Sequence, residues 1–179
     1  MRTVIVSLLQ RYRKKGLKAC GKNSYIGKNC FLRGNIYLGS NVILGRGTHL
    51  VSTRANLWIH DNVVFGPNIT IYTGDHPTNV IGRHISELTD KEKVDPRLDQ
   101  DVVVESGCWI GANALILKGV TIGRGSVIGA GSVVTKSIPP YSVYVGVPAS
   151  RIVPRFEEAE CEAHERILKE RGMSPDSIT

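Results

Sequence analysis

Residues 104–134, VESGCWIGANALILKGVTIGRGSVIGAGSVV, decide the fold of this chain. A large aliphatic residue recurs at every sixth position of this stretch, and a small or β-branched residue follows four positions later. A six-residue step suits a short strand and a tight corner, whereas a 3.6-residue helix would scatter these side chains around its surface. Three such steps close one triangular coil, and coils stack about 4.8 Å apart with parallel strand pairing. The spacing therefore predicts an all-β fold, a parallel β-helix of hexapeptide repeats.

The same period continues towards the N-terminus. Large residues recur every six positions from Ile26 to Leu50 and again from Ile59 to Ile71. Because Leu50 and Ile59 are nine residues apart, we expect a three-residue insertion in that coil. Glycine often follows the large residue, where it would permit φ > 0 or a close approach of the backbone at the corner. We assign residues 23–153 to the β-helix.

Three segments depart from the period. Residues 1–22 place apolar side chains from Val4 to Tyr12 on one helical face, which predicts an amphipathic helix docked on the coil. Residues 74–101 form a long charged excursion, and such an interruption of a solenoid is usually functional or disordered. We assign it as an active-site loop. Residues 154–179 form a C-terminal helix and tail, with a second amphipathic helix over Phe156–Arg171.

The composition excludes several classes of protein. Hydrophobic residues make up 41% of the 179 residues, too many for a disordered chain. The formal net charge is +7, of which residues 11–15 carry part, and we interpret the remainder as dispersed. Since no nucleic-acid-binding motif is present, we expect no nucleic-acid partner. The basic N-terminal helix leaves open a weak association with a membrane surface.

The cysteines argue against a metal site. Cys20, Cys30, Cys108 and Cys161 form no C-x-x-C pair, so we interpret them as small buried side chains in a reducing compartment. The apolar run Val4–Leu9 is too short for a signal peptide or a membrane span. We therefore expect a cytoplasmic protein that binds no metal.

His76 is the candidate for acid–base chemistry. It lies in Thr73-Gly74-Asp75-His76-Pro77, where the coil breaks into the long loop. Pro77 restricts the backbone of His76 to extended conformations, which can hold an imidazole at the wall of a cleft. On the residues alone, a catalytic base and an ordinary loop histidine both remain open.

The hexads, the Gly-Asp-His-Pro break and the stretches Cys108–Asn113, Gly129–Lys136 and Val145–Ala149 together resemble the hexapeptide-repeat acyltransferases. They are most similar to the branch of galactoside, maltose and xenobiotic acetyltransferases and surface-polysaccharide O-acetyltransferases. The resemblance implies a left-handed coil, a hand that the spacing itself does not set. It also implies a homotrimer with active sites between subunits, acetyl-CoA as co-substrate, and direct attack of an acceptor hydroxyl with His76 as general base.

The resemblance also assigns cofactor contacts. Ala112 and Ala130, one coil apart, would bind the pantetheine through their backbones, followed by Thr135 and Lys136. Lys136 either meets a CoA phosphate as a point charge or is a solvated lysine.

Basic residues that reach the CoA 3′-phosphate commonly follow the Pro-Ala pair in the family. This sequence departs from that pattern, with Ser150 and Val153 at those positions. Arg151 or Arg155 would then take the role.

The acceptor would meet the loop and the insertion near His49. Asp75 is one candidate to orient the His76 ring, but neighbouring residues of an extended segment point to opposite sides. The alternative is that a backbone carbonyl holds the ring and Asp75 faces the acceptor. We predict that Asp75 and His49 bind the substrate, a sugar of a surface polysaccharide, and that Trp109 packs against the loop.

Other functions use the same fold. A γ-class carbonic anhydrase needs three converging histidines, and the closest pair here, His76 and His84, lies in an irregular loop. A non-catalytic scaffold would not need the His-Pro break. N-acetylation of an amino sugar, or acetylation of a xenobiotic, would use the same base.

Overall fold

A computed structural model describes residues 10, 13–93 and 95–173. These residues form a parallel β-solenoid, which confirms the fold class that the hexads predict. The strands are β1 (Ala19–Cys20), β2 (Tyr25–Ile26), β3 (Phe31–Leu38), β4 (Ile43–Leu44), β5 (His49–Ile59), β6 (Val64–Phe65), β7 (Thr70–Tyr72), β8 (Val102–Val104), β9 (Trp109–Ile110), β10 (Leu115–Ile116), β11 (Thr121–Ile122), β12 (Val127–Ile128), β13 (Val133–Val134), β14 (Ser142–Gly146) and β15 (Ala149–Pro154).

Parallel pairing divides these strands into three faces. Face 1 stacks β2, β4, β6, β9, β12 and β14. Face 2 stacks residues 31–34, residues 49–52, β7, β10 and β13. Face 3 contains β1, residues 35–38, residues 56–59, β8 and β11. The long strands β3 and β5 turn the corner from face 2 to face 3 without a break.

The large residue of each hexad points inward. Ile110 lies over Ile128 in neighbouring coils, and both are fully buried. The smaller residues four positions later are buried as well, including Thr48 and Ser126. Leu32, near the open N-terminal end, is only partly buried. The hexad pattern therefore identifies the core correctly along nearly its whole length.

The corners use two different residues for two different reasons. The glycine after the large residue is needed for close approach, since a Cβ on Gly111 would lie 2.6 Å from the amide nitrogen of Ala130. Positive φ falls two positions later, where asparagine or glycine adopts the left-handed conformation that other L-residues avoid. The asparagine amides also stack between coils, as from Asn68 Nδ2 to Asn113 Oδ1 at 3.1 Å. The asparagines at these corners are Asn23, Asn29, Asn41, Asn62, Asn68 and Asn113.

The solenoid begins earlier than the predicted boundary at residue 23. Ala19–Cys20 already pair with Tyr37–Leu38, so the first coil includes them. Of the predicted helix over residues 1–22, residues 1–9 and 11–12 lie outside the described residues. The part from Lys14 onward contradicts the prediction, since it forms a 3-10 turn over Lys14–Gly16 and then strand β1. The side-chain amide of Gln10 does cap the edge strand β2, donating to the Ile26 carbonyl and accepting from the Ile26 amide, both at 2.9 Å.

The C-terminal end is covered by a hairpin and a helix. Strand β15 pairs antiparallel with β14, and helix α1 (Glu158–Glu170) follows, which confirms the helix predicted there. Gly172 ends the helix with a φ of +69°. Among the described residues, no helix is long and apolar enough to cross a membrane.

Candidate active site

The predicted three-residue insertion lies at residues 53–55. Gly34 pairs with Ser52, but its neighbour Asn35 pairs with Asn56, so β5 bulges outward by three residues at this point. Inside the bulge the Ser52 hydroxyl donates to the Ala55 carbonyl at 2.8 Å and accepts from the Thr73 hydroxyl at 3.0 Å. These buried hydrogen bonds fix the bulge against the end of β7, where the long loop begins.

The loop over residues 74–101 is closed at its base. Gly74 forms an antiparallel bridge with Asp99, and the Gln100 amide donates to the Thr73 carbonyl at 2.8 Å. Between these points the loop makes three short 3-10 turns, Ile85–Glu87, Asp90–Glu92 and Pro96–Leu98. The loop is therefore closed at its base and contains short helical turns of its own.

Arg54 joins the insertion to this loop. Its Nη2 lies 3.2 Å from Asp90 Oδ1 and its Nη1 lies 3.6 Å from Asp99 Oδ2. Its guanidinium also donates to the Asp90 carbonyl. A planar guanidinium holds several oxygen atoms in fixed directions, so Arg54 sets the position of the loop relative to face 2.

His76 lies at the wall of a cavity of about 260 Å³ between the insertion and the base of the loop. The imidazole is solvent-exposed, while the following Pro77 is buried and anchors the segment. Lys93 contributes an ammonium whose side chain is only 13% exposed, with Asp90 4.0 Å away, beyond hydrogen-bonding distance. The cavity wall thus carries an imidazole, which can exchange a proton, and an ammonium, which can donate hydrogen bonds. The other lining residues are Val51, Thr53, Tyr72, Gly74, Asp75 and Asp99.

Asp75 lines the cavity but does not hold the imidazole ring. Its Oδ1 accepts from the His76 backbone amide at 2.8 Å, and its Oδ2 lies 3.3 Å from Lys118 Nζ. The hydrogen bond from the His76 amide, followed by Lys118, lowers the pKa of Asp75 below its ordinary value. The carboxylate is therefore ionised near neutrality and available as a hydrogen-bond acceptor beside His76.

The other two residues considered near the acceptor, His49 and Trp109, do not line the cavity. His49 lies outside the cavity lining and packs between Phe31 and Tyr72, with ring centroids 4.7 and 5.8 Å away. It therefore supports the Tyr72 ring that lines the cavity. Within one chain Trp109 does not pack against the loop, because β9 lies on face 1 and the indole side chain is 55% exposed there.

Ala112 and Ala130 lie at the corner between faces 1 and 2, in adjacent coils. The Gly131 amide donates to the Ala112 carbonyl at 2.8 Å and so joins the two coils. The amides of Ala112 and Ala130 have no acceptor among the described residues. At another corner the corresponding amides are capped by side chains, as from Ser40 N to Asp61 Oδ1. A pair of free, stacked N–H groups is suited to binding an extended amide-rich ligand.

Thr135 and Lys136 lie at the opposite edge of face 2. They follow β13, which stacks on β10 and then on β7, so they share the edge from which the His76 loop emerges. Both are exposed. Arg151 is exposed on the β15 hairpin strand, opposite Val145. Within one chain the predicted cofactor residues therefore do not share a pocket. The alanines lie at one edge of face 2, Thr135 and Lys136 at the other edge, and Arg151 at the C-terminal end.

Sequence reasoning missed several lining residues. Lys93, Asp99 and Thr53 come from the loop and the insertion, and long-range contacts alone bring them to His76. The nine-residue spacing was the available signal for the insertion. Among the described residues, no group of three histidine, cysteine or acidic side chains is placed to hold a metal ion.

Comparisons with known proteins agree with this fold. The family model "Bacterial transferase hexapeptide (six repeats)" matches residues 101–136. A galactoside O-acetyltransferase from Lactococcus lactis is 40% identical over 93 residues, which are 52% of this chain and 41% of that protein.

Two solved structures share the fold over most of the chain. A galactoside acetyltransferase in complex with coenzyme A superposes with a TM-score of 0.69 at 28% identity, over 87% of this chain and 74% of that one. A hexapeptide-repeat acetyltransferase from Vibrio cholerae, complexed with acetyl-coenzyme A, gives a TM-score of 0.65 at 26% identity over 84% and 79% of the chains.

These matches show that the chain is similar to the hexapeptide-repeat acetyltransferases in its repeat and in its fold. The sequence matches to curated relatives span less than half of those proteins, at 41% and 45% of two galactoside O-acetyltransferases.

Proposed function

We propose that this protein transfers the acetyl group of acetyl-CoA to a hydroxyl of a sugar, in the synthesis of a bacterial surface polysaccharide, with His76 as the general base. The observation that carries the proposal is the position of His76 at the wall of a cavity that also presents Asp75, Lys93 and Asp99. The similarity to acetyltransferases supports the donor, since solved structures with this fold hold coenzyme A or acetyl-coenzyme A.

The reaction is a direct transfer. His76 accepts the proton of the acceptor hydroxyl as its oxygen attacks the thioester carbonyl, and collapse of the tetrahedral intermediate expels the CoA thiolate. The imidazolium then returns the proton to that thiolate. A well-placed general base contributes about 10²–10⁴-fold to such a rate. The developing oxyanion needs a positioned N–H donor, and backbone amides are the usual source.

The cavity lining suits a sugar ring as acceptor. Asp75 and Asp99 accept hydrogen bonds, Lys93 donates them, and the Tyr72 ring offers an apolar face. A volume of about 260 Å³ matches a ligand the size of one sugar ring rather than a larger drug-like molecule.

We propose that acetyl-CoA binds along the free amides of Ala112 and Ala130. This corner lies at the opposite edge of face 2 from His76 in the same chain. A complete site is obtained when the corner of one subunit faces the loop of another. Thr135, Lys136 and Arg151 then provide hydroxyl and cationic groups for the distal part of CoA.

A homotrimer supplies that arrangement. A cyclic trimer needs two different complementary patches on each chain. The first candidate patch is the outward column of β4, β6 and β9 on face 1, with Trp109 55% and Ile43 44% exposed. The second is the apolar tip of the loop, where Ile81 is 98% exposed. Covering both patches at once removes exposed apolar side chains from water.

Light scattering of the purified protein tests the assembly. We expect a trimer for the wild type and a smaller species for Ile81→Asp, since a charge at the loop tip cannot be buried in an apolar interface. Ile167→Asp, at an exposed site on helix α1, outside face 1 and the loop, is the matched control and should stay trimeric. A monomeric wild type would contradict the shared-site proposal.

Calorimetry and an acceptor screen test the activity. Saturable acetyl-CoA binding near one site per chain, with acetylation of sugars, is expected. Comparing each sugar with its amino analogue distinguishes O- from N-acetylation, and a chloramphenicol-type acceptor tests the xenobiotic alternative. A folded trimer that does not bind acetyl-CoA would contradict the proposal and favour a scaffold.

A further inference from the structure

The basic residues of this chain are concentrated at one end, contrary to the dispersed charge expected from the sequence. Residues 1–60 contain eleven of the 23 lysines and arginines and no aspartate or glutamate, and the first carboxylate is Asp61. The rest of the chain has more acidic than basic residues. The structure places the described members of this set on the first coils and on the segment that closes the open end of the solenoid.

These cations lie around the N-terminal end of the solenoid and do not form a single row along it. Lys18 precedes β1 on face 3, and its amide donates to the Ile36 carbonyl. Lys22 and Lys28 lie at the two following corners, bonded to the next coil through Asn41 and Gly47. Arg33 lies on face 2. Each of these side chains is exposed.

The segment across the open end adds to the same charge. Arg13 donates to the Ile26 carbonyl at 3.0 Å, and Lys14 and Lys15 follow it in a 3-10 turn. Two exposed aromatic side chains lie on the first coil among these cations, Tyr25 at 46% and Phe31 at 48% exposure. A rim of cations with interspersed aromatic rings matches the composition of protein surfaces that rest on lipid headgroups.

We infer that this basic end, defined by residues 13–33, docks on a membrane surface rich in anionic phospholipid. A flat partner can meet cations on all three faces at once, whereas a nucleic acid would need them along a groove. The strand pairing puts Val51, a lining residue of the His76 cavity, next to Arg33 and about 4.8 Å from it across the sheet. A docked chain therefore opens its cavity close to the lipid headgroups. In the proposed trimer, cyclic symmetry turns three such ends towards the same plane.

Vesicle co-sedimentation with the full chain tests the inference. The probes are phosphatidylcholine vesicles with and without phosphatidylglycerol, at low and at moderate salt. The wild type should bind only the anionic vesicles, and more weakly as salt rises. The variant Lys18→Glu/Lys22→Glu/Lys28→Glu should lose at least about tenfold in binding, since each cation near an anionic surface contributes separately.

The matched control is Arg166→Glu/Lys169→Glu/Arg171→Glu, which makes the same change in charge at exposed sites on or just after α1. It should bind the vesicles like the wild type. A second set with glutamine at Lys18, Lys22 and Lys28, and circular dichroism of every variant, separates lost binding from lost folding. Equal loss in both triple variants, salt-independent binding to neutral vesicles, or tighter binding to duplex or single-stranded DNA than to anionic vesicles would overturn the inference. None of these outcomes depends on acetyl transfer.

Discussion

Arg54 Nη1 lies 3.6 Å from Asp99 Oδ2, so the three-residue insertion in β5 is tied to the base of the loop that carries His76. The Arg54 side chain is 30% exposed and that of Asp99 is 17% exposed, so the pair is partly shielded from water. Since Asp99 also lines the cavity, Arg54 acts on the cavity without touching its contents. The insertion and the loop behave as one unit.

Replacing Arg54 should therefore affect catalysis more than stability. We expect Arg54→Ala to lower the free energy of unfolding by about 1 kcal/mol, as for a partly exposed ion pair. Turnover should fall by about tenfold or more, because small misplacements of a catalytic group are costly. Acetyl-transfer kinetics and urea denaturation measure the two effects.

The control for Arg54 is Arg97→Ala. Arg97 is 83% exposed and pairs only with its near neighbour Asp95 among the described residues, so neither turnover nor stability should change. Equal turnover in the wild type and Arg54→Ala would show that the loop is held by other contacts.

The loop should keep its order under moderately acidic conditions. The Thr89 amide and hydroxyl donate to Glu92 at 2.7 and 2.8 Å, and with Arg83 they lower the pKa of Glu92 to about 2. A lowered pKa means that this contribution to loop stability is complete above the ordinary value of 4.5 and is lost as the pH falls towards 2. The chemical shift of the Thr89 amide should follow that low midpoint and become insensitive to pH in Glu92→Gln. A midpoint near 4.5 would contradict the capping geometry.

The corner asparagines should be replaceable by glycine but not by alanine. Asn113 has a φ of +59°, a conformation that costs an ordinary L-residue about 1–2 kcal/mol. Asn113→Ala should lower the free energy of unfolding by about that amount, while Asn113→Gly should lose only the amide hydrogen bond from Asn68. Urea denaturation of both variants measures the difference, and equal losses would show that backbone strain at the corner is unimportant.

Cys108 should be inert in the folded protein. It is 1% exposed, its thiol donates to the Gly123 carbonyl at 3.2 Å, and burial raises its pKa to about 12. Because the thiolate is the reactive form, a thiol reagent at neutral pH should modify Cys108 only after denaturation. Mass spectrometry of labelled peptides identifies the site. Rapid native labelling of Cys108 would contradict its inward position.

The sequence predicted the regular part of the fold because each hexad is a local signal repeated many times. Ile110, Ile116 and Ile128 are all fully buried at the positions that the spacing indicates. The spacing from Leu50 to Ile59 also located the insertion. Cys20 lies six residues before Ile26 and was an overlooked sign that the solenoid starts earlier. The left hand of the coil stays a prediction of the resemblance.

The candidate site was less predictable, because its parts come together through distant contacts. Residue type and position singled out His76 and Asp75, and the resemblance assigned the corner alanines. The sequence has no signal that brings Lys93 and Asp99 beside them, since ion pairs and short turns within the loop decide that placement. Trp109 does not meet the loop of its own chain, and the pattern could not show this because it does not say which face a strand occupies.

The rate of acetyl transfer by His76→Ala tests the central proposal most directly. It should be measured beside the wild type and His84→Ala, which changes an exposed histidine of the same loop. The proposal predicts a fall in turnover of about 10²–10⁴-fold for His76→Ala, with acetyl-CoA affinity and trimer assembly unchanged and His84→Ala active. Turnover near the wild-type level in His76→Ala would contradict the assignment of His76 as the general base.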